Sequence, residues 1–125
     1  MAIYKLQSNA GGKRAAAAAA RKAPPVKPVR PVTFGVIVGN RGFFPGHLAR
    51  TGREEILATL KQEGFSAVAL GLDEATHGAV ESRDEAKRCA ALFKKHRDEI
   101  DGIIVTLPNF GDERAIAETI RMAGL

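Results

Sequence analysis

Two uninterrupted hydrophobic runs constrain the fold of this chain more than any other feature of its sequence. Residues 34–38 read Phe-Gly-Val-Ile-Val and residues 103–107 read Ile-Ile-Val-Thr-Leu, and each run breaks into a loop that contains Gly, Pro and Asn. Such β-branched runs are typical of strands that are buried on both faces of a parallel sheet. Ligands of open α/β sheets bind beyond the carboxyl ends of the strands. The loops at 39–45 and 108–113 therefore mark the expected functional surface.

Capping signals predict three helices. Thr51–Glu54 and Ser82–Glu85 are Ser/Thr-x-x-Glu capping boxes, in which a hydroxyl and a carboxylate satisfy each other's free backbone amides. The first helix is also allowed to start earlier, near His47, because the proline two residues before it suits a first turn. A third helix is expected to start at Asp112 and to end at Gly124.

Three strands alternate with these helices, the second at 67–70 and the third at 102–107. Short connections force right-handed crossovers, so the expected product is a doubly wound α/β layer. A body of three strands, residues 33–125, is small for this architecture and leaves sheet edges open. We therefore expect the chain to be a fragment of a longer natural domain or a truncated gene product.

Positive charge is concentrated at the start of the chain. Residues 1–32 contain seven Lys and Arg and no acid, whereas residues 33–125 contain the other 12 Lys and Arg and all 14 Asp and Glu. The first 32 residues are also rich in Ala and Pro, which predicts a disordered basic tail and a Pro-rich spacer. A basic arm can bind nucleic acid or an acidic partner. Because the domain itself has no basic surplus, nucleic acid is not the expected partner.

Cysteine content and hydropathy narrow the cellular setting. The single cysteine, Cys89, cannot form an internal disulfide and fits a reducing cytoplasm. Its position one turn before Phe93 predicts a packing role rather than a reactive thiol. No run approaches the roughly 20 apolar residues of a membrane-spanning helix. The sequence therefore predicts a cytoplasmic protein without a membrane partner.

Three sequence blocks carry a resemblance to a known family. They read Gly-Asn-Arg-Gly-Phe-Phe-Pro-Gly-His-Leu at 39–48, His-Gly-Ala-Val-Glu-Ser at 77–82, and Val-Thr-Leu-Pro-Asn-Phe-Gly-Asp-Glu at 105–113. From residue 34 to residue 125, the chain resembles the amino-terminal domain of the L-fucose isomerase-like sugar isomerases, which are related in fold to L-arabinose isomerase. This resemblance implies a flavodoxin-like doubly wound parallel sheet, here with three strands and three helices.

The resemblance also implies an activity for the parent protein. In this family an aldose–ketose isomerase uses a divalent metal, usually manganese, to bridge two sugar oxygens while acidic residues move a proton. The family's metal ligands lie in the second and carboxyl-terminal domains, so no catalytic and no metal-binding residue is expected in this chain. The isolated positions of His47, His77 and His96 agree with that expectation. The amino-terminal domain is expected to cap the sugar pocket of a neighbouring subunit in a homo-oligomer.

Four residues are candidates for contacts with the sugar. Arg41 lies between two glycines after the first strand, where its guanidinium can fork to hydroxyls, and the matching loop of the family contributes to sugar recognition. Asn40 and His47 are its companions. Asn109, held after a proline, is expected either to hydrogen-bond a ligand or to cap the third helix. The competing interpretation of Arg41 is a turn arginine in solvent.

Other residues of these loops have competing interpretations. The pair Phe43–Phe44 either stacks on a sugar or a subunit, or staples the helix onto the core, and the second interpretation is favoured. Asp112 and Glu113 resemble catalytic acids, but acids at a helix start stabilise the helix dipole, which favours a structural role. His77 and Glu81, after the second strand, lie on the same expected edge.

Three hypotheses about function follow. The leading hypothesis is a domain for substrate recognition and assembly in a metal-dependent sugar isomerase, inactive by itself. The alternative is a stand-alone α/β binding module whose basic tail contacts nucleic acid or an acidic partner. The third is a truncated product without an independent role.

Overall fold

A computed structural model describes residues 29–125, and the predicted disorder of the tail falls on residues outside that range. Its elements, in chain order, are β1 (Thr33–Asn40), α1 (Gly46–Gln62), β2 (Ser66–Val68), a 3-10 turn (Thr76–Gly78), α2 (Arg83–Lys95), β3 (Gly102–Asn109) and α3 (Glu113–Ala123). The strands form one parallel sheet in the order β2-β1-β3. This confirms the predicted flavodoxin-like α/β architecture of three strands and three helices.

Helices cover both faces of the sheet because successive residues of β1 point to opposite sides. Val36 and Val38 pack with Leu60 of α1 on one face. Ile37 packs with Phe93 of α2 on the other face, which α3 also covers. All five side chains are less than a tenth exposed, so β1 is buried on both sides, as its hydrophobic run predicts.

The start of α1 corrects one of the two alternatives offered by the sequence. The helix begins at Gly46, and Pro45 precedes it with φ −60°. Thr51 lies inside the helix, where its hydroxyl donates to the backbone oxygen of His47 at 3.0 Å. The capping box predicted at Thr51–Glu54 is therefore wrong, and the earlier start near His47 is confirmed. The proline fixes a φ that suits helix entry, whereas the box pattern also occurs in helix interiors.

The starts of α2 and α3 follow the predicted capping chemistry. The Ser82 hydroxyl accepts from the Glu85 amide, and the Glu85 carboxylate accepts from the Ser82 amide, so the second capping box is confirmed. The Asp112 carboxylate caps α3 by accepting a backbone amide of its first turn at 2.8 Å. Asn109 therefore does not cap this helix. Gly124 ends α3 with φ 62°, the left-handed conformation that glycine favours.

The strand boundaries differ from the predicted ones by up to two residues. β2 ends at Val68 rather than at residue 70, and the carbonyl of Leu70 accepts two hydrogen bonds from the Arg53 guanidinium at 2.8 and 3.1 Å. β3 runs two residues past its hydrophobic run, so that Asn109 pairs with Asn40 of β1. The ends of β1 and β3 therefore lie side by side.

The segment before β1 is fixed at the opposite, amino edge of the sheet. The Arg30 guanidinium donates to both carboxylate oxygens of Asp101, at 2.7 and 2.8 Å. The same carboxylate accepts from the backbone amide of Thr33 at 2.9 Å.

Within the described part of the chain, no helix has the length and apolar character needed to cross a bilayer.

Candidate functional site

Three loops meet at the carboxyl edge of the sheet. Loop 1 is residues 41–45 after β1, loop 2 is residues 69–82 after β2, and loop 3 is residues 110–112 after β3. The last residues of loop 2 return to the sheet, where Val80 forms a parallel bridge with Gly39 of β1. Open α/β sheets bind ligands at this edge, and these loops are the ones on which the sequence places the candidate residues.

Arg41 of loop 1 forms an ion pair with the first residue of α3. Its guanidinium Nη2 lies 3.0 and 3.2 Å from the two carboxylate oxygens of Glu113. The Arg41 side chain is 41% exposed and that of Glu113 is 83% exposed. An ion pair this open to water contributes little to stability, about 0–1 kcal/mol. Both groups therefore remain accessible to a ligand.

An aromatic contact joins the same two loops. The rings of Phe44 and Phe110 pack with their centroids 4.6 Å apart and their planes tilted by 30°. Phe110 is 62% exposed, Phe44 is 38% exposed, and Phe43 is 98% exposed. The favoured prediction that Phe43–Phe44 staples the helix onto the core is therefore wrong, because neither ring is buried.

We call Arg41, Phe44, Phe110 and Glu113 the edge cluster. A backbone hydrogen bond from the Phe44 amide to the Arg41 carbonyl, 3.0 Å long, keeps its two loop 1 members in one tight turn. The cluster combines hydrogen-bond donors, a carboxylate acceptor and aromatic faces. This combination suits hydroxylated ligands that also have an apolar face.

Asn40 and Asn109, two of the four predicted contact residues, lie beneath the cluster rather than in it. Asn40 is 2% exposed and Asn109 is 6% exposed. The Asn40 amide donates to Glu81 at 2.8 Å, and the Asn109 amide donates to Asn40 at 3.3 Å and to the Pro45 carbonyl at 3.0 Å. Their polar atoms are thus engaged within the chain.

The two histidines of this edge occupy different places. His47 is exposed in the first turn of α1, and no hydrogen bond in the described residues ties its ring to the edge cluster. His77 of loop 2 has φ 59° and lies so close to Gly46 that a methyl group there would overlap its ring. Gly46 therefore permits loop 2 to approach the start of α1.

The sequence does not single out Phe110 as a candidate, and for Glu113 it favours a structural role at the helix dipole over a chemical one. A signal was nevertheless present, because a large aromatic residue stands between Asn109 and Gly111 at a strand end. Phe110 has φ 55°, which is uncommon for a bulky residue and marks a locally constrained position.

A polar pocket of about 320 Å³ adjoins loop 2, between the starts of α2 and α3. It is lined by three carboxylates, two guanidiniums and one methyl group: Glu81, Asp112, Glu118, Arg83, Arg114 and Ala115. Arg83 Nε lies 3.2 Å from Glu118, so part of this charge is paired within the pocket.

The metal implied by the family resemblance has no site among the described residues. Across residues 29–125, no group of three or more His, Cys, Asp or Glu side chains comes together in a way that would hold an ion. Metal sites of this kind need several such ligands in one place. The described residues therefore do not fit manganese.

The two groups with shifted pKa values both lie away from the edge cluster. Burial, with a smaller effect of the Glu74 charge, raises the pKa of the Cys89 thiol to about 12. Cys89 is 1% exposed, so it is a packing residue, as the sequence predicts. At the amino edge, hydrogen bonds from the Thr33 amide and from Arg30 lower the pKa of Asp101.

The class of protein follows from this geometry: a flavodoxin-like α/β domain with its candidate site at the carboxyl edge of a parallel sheet. The family model "Fucose/sulfoquinovose isomerase, N-terminal domain" matches residues 35–125. Since this is most of the chain, the protein belongs to that family. Comparison with curated proteins and with solved structures gives no match.

Proposed function

We propose that this chain is the substrate-recognition and assembly domain of a metal-dependent aldose–ketose isomerase, and that the edge cluster contacts the sugar. The supporting observation is the pairing of Arg41 with Glu113 beside the Phe44–Phe110 contact, exposed at the carboxyl edge of a domain of this family. The ligand edge of such sheets is the expected place for that contact.

The chemistry of the edge cluster suits a sugar. The guanidinium of Arg41 offers a fixed fork of donors to neighbouring hydroxyls, and the carboxylate of Glu113 accepts from hydroxyl groups. The tilted faces of Phe44 and Phe110 offer an apolar surface to the C–H face of the ring. Because the Arg41–Glu113 pair is exposed, exchanging part of it for sugar hydroxyls requires little desolvation.

Proton transfer and metal binding belong, in this proposal, to other domains of the full-length isomerase. The manganese of the family would act there as a Lewis acid. The present domain would orient the sugar and complete the pocket of a neighbouring subunit in a homo-oligomer. A cytoplasmic location suits this role and agrees with the single buried thiol of Cys89.

The proposal is tested by titrating the chain with L-fucose and recording amide and arginine side-chain NMR signals. Sugar-dependent shifts are expected at Arg41 and Phe110. Arg41→Ala should weaken binding about tenfold, which corresponds to about 1.4 kcal/mol for the lost hydrogen bonds. Arg121→Ala, which removes an exposed arginine at the other end of α3, is the matched control and should bind as the unaltered chain does.

The outcome that contradicts the proposal is equally specific. Shifts that spread over the whole surface, or equal affinities of Arg41→Ala and the unaltered chain, would exclude a sugar site at the edge cluster. Adding manganese and L-fucose to the chain alone should yield no ketose. Turnover there would contradict the division of roles between domains.

A further inference from the structure

We propose that Asn40 is a positioning residue that locks the three carboxyl-edge loops into one unit and thereby fixes the edge cluster. This inference rests on the proposed function, since it concerns how the sugar-contacting residues are held. It also changes the role that the sequence suggests for Asn40. The residue acts through its neighbours, and the sugar does not touch it.

Every hydrogen-bonding group of Asn40 is used, and its direct contacts reach loop 2, loop 3 and the end of β3. Its backbone amide donates to the Val80 carbonyl at 3.2 Å and its side-chain amide donates to Glu81 at 2.8 Å, both in loop 2. Its backbone carbonyl accepts from the Asp112 amide of loop 3 at 3.2 Å. Its side-chain oxygen accepts from Asn109 at 3.3 Å.

Asn109 extends this network to loop 1. Its side-chain amide also donates to the Pro45 carbonyl, 3.0 Å away, at the point where loop 1 enters α1. The orientation of the Asn40 side chain is fixed by charge, because only its NH₂ group can face the Glu81 carboxylate. Because Asn40 is only 2% exposed, loss of any one of these hydrogen bonds would leave a buried polar group without a partner.

A buried carboxylate, that of Glu85, holds the backbone of Glu81 in place. Glu85, only 7% exposed, accepts hydrogen bonds from the backbone amides of Thr76, Glu81 and Ser82 at 3.0–3.1 Å. Loop 1 also wraps closely around Glu81, since a methyl group at Gly42 would lie 2.6 Å from its Oε1. Loop 2 thus presents a fixed carboxylate to Asn40 rather than a mobile one.

The geometry of the edge cluster follows from this arrangement. Arg41 directly follows Asn40, and Phe110 directly follows Asn109. The paired asparagines therefore set the points at which β1 and β3 leave the sheet. A change in the Asn40–Asn109 contact therefore moves the cluster members of loops 1 and 3 relative to each other. Sites of this kind lose affinity when the supporting contacts loosen.

Reversal of one hydrogen bond tests the inference in the full chain. Asn40→Asp keeps the shape of the side chain but sets a carboxylate against Glu81. Adding Glu81→Gln supplies the missing donor, so the double variant rebuilds the contact in the opposite direction. We expect Asn40→Asp to displace the NMR signals of the Arg41 side chain and the Phe110 amide. We also expect L-fucose binding to weaken about tenfold, the size of a coupled buried hydrogen bond.

The double variant should return both signals and most of the affinity. A general loss of structure would instead alter the Ala90 amide in the core of α2, which we expect to stay in place. If Asn40→Asp does not fold, Glu81→Ala replaces it as the perturbing change, at a half-buried position. Its conservative partner is then Glu81→Gln, whose amide oxygen can still accept from Asn40.

The inference and the proposed function fail in different ways. If the unaltered chain shows no response to L-fucose, the proposed sugar site is wrong. The Arg41 and Phe110 signals then still decide whether Asn40 positions the cluster. The inference is overturned if Asn40→Asp leaves both signals unmoved, or if the double variant fails to restore them.

Discussion

Raising the pH above 9 should destabilise the domain through the buried thiol of Cys89. In α2 this side chain is 1% exposed, and burial with the nearby charge of Glu74 raises its pKa from 9.0 to about 12. The unfolded chain therefore releases the thiol proton near pH 9, whereas the folded domain holds it to about pH 12. Between these values the unfolded state binds fewer protons, so stability falls as the pH rises.

The expected magnitude follows from the two pKa values. A separation of three pKa units between the folded and unfolded states corresponds to a total loss of about 4 kcal/mol in the free energy of unfolding. About 2.5 kcal/mol of this loss occurs between pH 8 and pH 11. Urea unfolding of the unaltered chain and of Cys89→Ala across this range measures the effect. The stability that Cys89→Ala loses through missing core contacts is roughly the same at every pH. All other titrating groups are present in both proteins, so the difference between their pH profiles isolates the thiol. The unaltered chain should lose about 2.5 kcal/mol more than the variant.

Parallel pH profiles for the two proteins would refute this reasoning, because ionisation of Cys89 would then be independent of unfolding. Labelling with iodoacetamide provides a second check. At pH 8 the folded thiol has about a thousandfold less thiolate than an exposed one, so modification should require opening of the domain. A labelling rate in the folded chain equal to that in urea would contradict the burial of the thiol.

Two further predictions concern stability. Hydrogen bonds lower the pKa of Asp101 in the folded domain, so this residue stabilises the fold above its unfolded pKa near 3.8, and that stabilisation is lost as the pH falls through the lower folded value. The free energy of unfolding of Asp101→Asn should therefore fall less steeply with decreasing pH than that of the unaltered chain. Identical acid-unfolding profiles would contradict this. Gly35→Ala would place a methyl carbon 2.7 Å from the Ile103 side chain and 3.1 Å from that of Phe93, and should destabilise by about 1–3 kcal/mol in urea unfolding. Gly102→Ala, whose methyl carbon would lie 3.5 Å from its nearest neighbour, is the control, and equal losses would contradict the packing argument.

The sheet and two of the helix starts could be predicted from the sequence because their causes are local. Burial of β1 on both faces requires consecutive apolar residues, and the run at 34–38 supplies them. The box at Ser82–Glu85 satisfies amides within four residues of itself. The same box pattern at Thr51–Glu54 failed because the Pro-Gly pair upstream had already started α1.

The candidate site was predicted less well because its arrangement depends on contacts between distant residues. The sequence pattern of an asparagine at a strand end is the same whether its side chain faces solvent or is buried, so the sequence alone does not distinguish the two. Asn40 is buried because loop 2 returns to β1 about 40 residues later, through the bridge between Gly39 and Val80. Arg41 stands out in the sequence as a candidate because it is charged and lies between two glycines, but its ion-pair partner Glu113 lies 72 residues away.

The exposed aromatic rings supply the last argument about assembly. Phe43, which adjoins the edge cluster in loop 1, is 98% exposed, and Phe110, a member of the cluster, is 62% exposed. The Arg41–Glu113 ion pair of the cluster is also open to water. Exposed aromatic side chains at a ligand edge are a common mark of an interaction site. A domain that enclosed its sugar completely would be expected to bury these rings in its own pocket, whereas this domain offers the sugar an open contact surface. Their exposure therefore supports the proposal that the sugar site is completed by a neighbouring subunit, which would bury Phe43 and Phe110 together with the ligand.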